Sequence, residues 1–148
     1  MSSAGPVTTN AQMNPEDDMA DRPVPQRRVL VVEDDDSIAL ALEYLVTRAG
    51  HGHQRIAHGS DALPCIRATH PDLVLLDVML PGVSGYDICQ DVRRDPTLAD
   101  VKILMMTARG SALERRRGIE LGADGFITKP FDVRELRDEV HKLLGTPR

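Results

Sequence analysis

From Arg27 onward, short apolar runs alternate with longer segments whose apolar positions recur every three or four residues. Val29–Val32 reads as a first strand, continuously apolar as a strand covered on both faces must be. Ile38, Leu42, Leu45 and Ala49 then fall on one stripe of a helix, and Gly50 is its C-terminal stop. A weak second strand is expected near Gln54–Ala57. Ser60 is expected to cap a second helix, with Pro64 in the first turn where proline is tolerated. Leu73–Leu76 forms a third strand, and a third helix runs from about Ser84 to Arg94 with Ile88 and Val92 inward. Lys102–Met106 and Gly125–Thr128 are the fourth and fifth strands. Between them, a helix around Ala112–Leu121 is the least regular element, because Arg115, Arg116 and Arg117 interrupt its apolar stripe. A last helix carries Val133, Leu136, Val140 and Leu143 at helical spacing. Five strand–helix pairs in strict alternation predict an α/β fold, a parallel sheet with right-handed crossovers and helices on both faces.

The first 26 residues break this pattern. They are Ser, Thr, Asn, Pro, Met and acids with no period of 2 or 3.6, and are expected to be a disordered tail, with partner binding as the lesser alternative. They hold four acids against one base, so the remaining body carries nineteen acids against seventeen bases. A body that near neutrality has no electrostatic footprint for direct nucleic-acid binding. At 148 residues the chain suffices for one domain with a core. No apolar stretch approaches the roughly 20 residues of a membrane span, and Glu43 breaks even the run from Ile38 to Val46. The N-terminus lacks the apolar segment of a secretory signal. Cys65 and Cys89 build no disulfide framework and lack metal-ligand spacing, so a reducing, cytoplasmic setting is the simplest expectation.

The chemistry gathers where the strands end. Asp77 closes the third strand ahead of Pro81-Gly82, and Glu33-Asp34-Asp35-Asp36 follow the first. Thr107 follows the fourth strand, and Lys129-Pro130 the fifth. Carboxyl ends of parallel strands are where such sheets hold ligands. Two unit charges about 5 Å apart repel by roughly 3 kcal/mol at an effective dielectric of about 20. Glu33, Asp34 and Asp77 together therefore call for a divalent cation, and oxygen-only donors favour Mg²⁺ or Mn²⁺ over zinc. With Lys129 as a positive charge and Thr107 as a hydroxyl donor, the set suits an aspartate that accepts a phosphoryl group.

Val31-Val32-Glu33-Asp34-Asp35, Leu75-Leu76-Asp77-Val78-Met79-Leu80-Pro81-Gly82, Met106-Thr107-Ala108-Arg109 and Phe126-Ile127-Thr128-Lys129-Pro130-Phe131 resemble the motifs of bacterial response-regulator receiver domains, in order and with the expected gaps over about residues 27–145. The resemblance implies a flavodoxin-like sheet in the order 2-1-3-4-5 and a CheY-like signalling switch rather than an enzyme acting on outside substrates. Asp77 would be the phosphoacceptor. Asp34 and Asp77 would ligate the cation together with the backbone carbonyl of Met79, while Glu33 would act through water. Thr107 and Lys129 would bind the phosphoryl group, and Phe126 would be the aromatic that turns inward on activation. The Lys129–Pro130 bond would be cis. Met79 and Arg109 would tune the lifetime of the aspartyl phosphate, and neither side chain suits an attacking water.

Implied partners are a sensor histidine kinase or histidine phosphotransfer protein, and a downstream protein on the face of helix 4, strand 5 and helix 5. Residues 27–148 read as the receiver, with no output domain behind it and protein–protein contact as its output. Two rivals stay open: a metal-dependent hydrolase passing through an aspartyl phosphate, and an inactive scaffold. The hydrolase would want a general acid near Asp77, where Met79 cannot serve. Asp35 and Asp36 read as acids of the first helical turn, Tyr86 and Thr128 as structural. His51, His53, His58, His70 and His141 read as surface or loop residues.

Overall fold

The protein, seen as a computed structural model, is described over residues 26–108 and 110–145. The expected tail, apart from Gln26, and Arg109 lie outside that range. Strands β1 (Arg28–Val32), β2 (Gly52–Ile56), β3 (Leu73–Asp77), β4 (Lys102–Thr107) and β5 (Gly125–Thr128) form one parallel sheet in the order β2-β1-β3-β4-β5. Helices α1 (Asp36–Arg48), α2 (Ala62–Thr69), α3 (Gly85–Arg94), α4 (Ala112–Glu120) and α5 (Val133–Gly145) follow the strands in turn. Alternate strand residues face opposite layers, as the two-residue period of a strand demands. Val29 and Val31 join α1 and α5 on one side, whereas Leu30 and Val32 join α2 and α3 on the other.

Short polar side chains start four of the helices by accepting backbone N–H groups that have no partner inside the helix. Asp35 accepts from Ile38, Ser84 from Tyr86, Ser111 from Glu114 and Asp132 from Arg134. Gly50 ends α1 at φ +89°, where a side chain is strained, as its reading as a stop requires. The Lys129–Pro130 bond is cis, as expected.

Four local expectations change. Strand β2 starts at Gly52, two residues ahead of the expected Gln54, because its pairing with β1 runs from Arg28↔Gly52 to Val32↔Ile56. Ser60 does not cap α2. It lies in a 3₁₀ turn, Gly59–Asp61, and α2 begins at Ala62 without a side-chain cap bond. Val133 and Ala49 stand at helix ends beyond the sheet's cover and are exposed, while the middle of each stripe is buried. His51 is a loop residue but a buried one, and its Nδ1 accepts the Arg27 N–H at 3.0 Å. Burial first, and then the charge of Arg27, holds its pKa below the ordinary value, consistent with a neutral acceptor ring.

Candidate functional site

The sheet's carboxyl edge is level because the strands end in register. Val32 pairs with Leu76, Asp77 with Met106 and Thr107 with Thr128. The ladder then continues one residue past the strands: Glu33 N–H to Ile56 O at 3.1 Å, Val78 N–H to Met106 O at 2.9 Å, and Lys129 N–H to Thr107 O at 2.7 Å. Backbone bonds therefore bring Glu33, Asp77, Thr107 and Lys129 to one end of the sheet. Asp77 and Thr107 are themselves the last residues of their strands, one position further than the apolar runs suggested.

At the centre stands Asp77, only 3% exposed, with Glu33 fully buried beside it. The Lys129 ammonium reaches both, 2.7 Å from Glu33 Oε1 and 3.4 Å from Asp77 Oδ2. Asp77 Oδ1 accepts the Met79 N–H at 3.0 Å, which orients the carboxylate. Burial pushes the Glu33 carboxyl above its ordinary value. The Lys129 hydrogen bond opposes that shift, and the negative charge of Asp77 adds to it. One carboxylate oxygen each from Glu33, Asp34 and Asp77 lies within 4.8 Å of the others. Among the described residues this is the group that fits a cation, all oxygen and two-thirds buried, and its hard donors suit Mg²⁺ or Mn²⁺. Asp34 remains exposed and lines a cavity of about 640 Å³ with Met79, Tyr86, Glu114 and Arg117.

Thr107 is fully buried at the end of β4. Phe126 is likewise inside, 4% exposed, and the Arg115 guanidinium lies 5.3 Å from its ring centre. Asp35 and Asp36 are helix-start residues, as read: Asp35 caps α1, and Asp36 pairs with Arg55 at 2.8 Å.

Arg55 escaped the sequence reading. From β2 it donates through Nε and Nη2 to the Glu33 carbonyl at 3.0 and 2.9 Å, and so clamps the loop that carries the acids. An arginine inside a weak strand was the available signal, but its target depends on β2 pairing beside β1. Tyr86 was read as structural, and Glu114 was not singled out. Their side chains meet across 28 positions of sequence.

Comparison with known proteins agrees with this geometry. The sequence profile of the response regulator receiver domain matches residues 29–141. The chain belongs to the response-regulator receiver family. It is 39% identical over 117 residues to the transcriptional regulatory protein BaeR of Escherichia coli, covering 79% of this chain and 48% of that one. Likewise, it is 40% identical over 116 residues to AfsQ1 of Streptomyces coelicolor, covering 78% and 50%. The receiver thus spans about half the length of the curated relatives it matches. Among solved structures, the BeF3-activated N-terminal receiver domain of Klebsiella pneumoniae RstA superposes with a TM-score of 0.74 at 27% identity, covering 80% of this chain and 99% of that one. The chemotaxis response regulator CheY4 of Vibrio cholerae superposes at 0.75 and 27%, covering 80% and 98%. Phosphorylation and magnesium are general features of the family. Among the described residues, no helix is long and apolar enough to cross a membrane.

Proposed function

We propose that this receiver accepts a phosphoryl group on Asp77 from the phosphohistidine of a sensor kinase or phosphotransfer protein. The observation that carries this reading is the convergence of Asp77, Glu33 and Lys129, drawn from three strand ends, with Lys129 bridging the two acids. An Asp77 carboxylate oxygen attacks phosphorus, the P–N bond breaks, and its electron pair leaves with the imidazole, which takes up a proton. Asp77 is oriented for this by the Met79 N–H. Glu33 and Asp34, with Asp77 and the Met79 carbonyl, are the groups that would hold the divalent cation. Such a cation supplies charge neutralisation for the phosphoryl oxygens. Lys129, a donor only, moves from Glu33 to a phosphoryl oxygen. The Thr107 hydroxyl donates to another, and Phe126 packs behind it as the conformational switch.

Output passes through protein–protein contact at the α4/β5/α5 face, where Leu113 and Ile119 are exposed on α4 beside Arg116. The receiver at residues 27–148 acts in the cytoplasm with its kinase. Met79, 53% exposed at the cavity, has no polar group to hold an attacking water, and with Arg109 it lengthens the life of the aspartyl phosphate. This favours a switch over a hydrolase, which would have to discharge the intermediate quickly.

Incubation with phosphoramidate and Mg²⁺ followed by intact mass measurement tests the assignment. Stoichiometric, acid-labile addition of one phosphoryl group is expected, and none in Asp77→Asn. Equal labelling of that variant would overturn it. Rapid turnover without accumulation would support the hydrolase.

A further inference from the structure

Tyr86, the second residue of α3, donates its hydroxyl hydrogen to Glu114 Oε1 of α4 at 2.6 Å. The Arg117 guanidinium, one helical turn further along α4, lies 4.6 Å from the Tyr86 ring centre. All three line the cavity that also holds Asp34 and Met79. Tyr86 is buried, and burial together with Glu114 pushes its hydroxyl up to about 12. It therefore stays a donor throughout the neutral range.

The other end of this connection is the strand that carries Asp77. The Gly85 N–H donates to Val78 O at 3.0 Å. A Cβ on Gly85 would stand 2.5 Å from the Asp77 carbonyl oxygen and 2.8 Å from Val78 Cα. Only glycine lets α3 begin that close to the strand end. A backbone shift at Asp77–Val78 consequently displaces Gly85, and Tyr86 with it. Helix α4 has little else to hold it: Gly118 is its one buried residue, and Arg115 adds a 3.3 Å bond to the Phe126 carbonyl.

We propose that Tyr86 is a positioning residue whose bond to Glu114 holds α4 against α3 in the unphosphorylated receiver, and that occupation of Asp77 breaks it. Breaking the bond frees Glu114 and Arg117 for the α4 face and opens the cavity beside the acids. This rests on the Asp77 reading and adds a route to α4 separate from Thr107 and Phe126. Linkage makes it measurable: a contact present only in the unphosphorylated arrangement opposes the other, so removing it must tighten binding of a phosphoryl mimic.

The test titrates fluoroberyllate with Mg²⁺ into the full chain, read by calorimetry and by amide resonances. Tyr86→Phe and Glu114→Ala should each bind about 5-fold or more tightly than wild type, within the usual range of coupling between sites. The double variant should bind no tighter than either single one, because both remove the same bond. Without the mimic, α4 resonances of both variants should lie displaced toward their positions in the wild-type complex. Two variants acting alike exclude a packing defect peculiar to either. Unchanged or weaker binding in both, with α4 resonances unmoved, overturns the proposal while leaving the Asp77 reading intact. Fluoroberyllate binding by Asp77→Asn would overturn that reading and this inference with it.

Discussion

Helices α3 and α4 wall the same cavity, yet they are held in different ways. Helix α3 sets Tyr86, Ile88, Cys89 and Val92 into the core, and Gly85 seats its first turn directly on the Asp77 strand. Helix α4 buries Gly118 alone. Arginines and a carboxylate hold the rest of it: Arg115 over Phe126, Arg117 over Tyr86, and Glu114 to the Tyr86 hydroxyl. Apolar burial contributes about 25 cal/mol per Å² and has no preferred direction, so α3 resists displacement as one packed body. Partly exposed polar contacts are each worth about 1 kcal/mol and can be exchanged for water. One helix is placed to pass on a shift at Asp77, and the other is free to respond to it.

Substituting the packed side of this contrast should have the largest effect. Ile88→Ala removes a fully buried side chain and should cost about 2–5 kcal/mol in denaturant unfolding. A loss below about 1 kcal/mol would mean that α3 is no better anchored than α4. A cation held by the acids should strengthen the same side, where Asp77 and α3 meet. Mg²⁺ at about 100 times its dissociation constant should add roughly 2.7 kcal/mol, seen as a rise in Tm. The rise should disappear in Asp34→Ala, and an equal rise there would place the ion elsewhere.

Alkaline pH addresses the contact between the two helices. The Tyr86 hydroxyl is held up at about 12 in the fold against an ordinary value of 10.0. Its stabilising contribution is complete below pH 10 and is lost as pH rises through 12. Wild type should therefore lose more stability than Tyr86→Phe across that window, and parallel curves would remove Tyr86 from the account. The smallest effect belongs to α4 itself. Leu113→Ala, at a side chain 71% exposed, should change stability by no more than about 0.5 kcal/mol. Amide exchange should also be faster across α4 than across α3, and equal protection would end the contrast.

Much of the fold was legible along the chain. Continuous apolar strands, helical stripes in α1, α3 and α5, and acids or lysine at successive strand ends are local signals, and burial follows periodicity within an element. Asp77, Thr107 and Lys129 could be named for the same reason, since parallel strands in register must bring their carboxyl ends together. Even α4, with three arginines across its stripe, formed where it was expected.

Tertiary structure alone decided who meets whom. Lys129 pairs with Glu33 across 96 positions, and Arg55 finds the Glu33 carbonyl across 22. Tyr86, read as merely structural, meets Glu114 because α3 and α4 pack on the same face of the sheet. Strand β2 took its limits from β1, and His51 was buried by the chain entering at Arg27. Periodicity states which face of an element turns inward. It carries no information on which distant polar group will share that interior, because that depends on strand order, register and the approach of one helix to another.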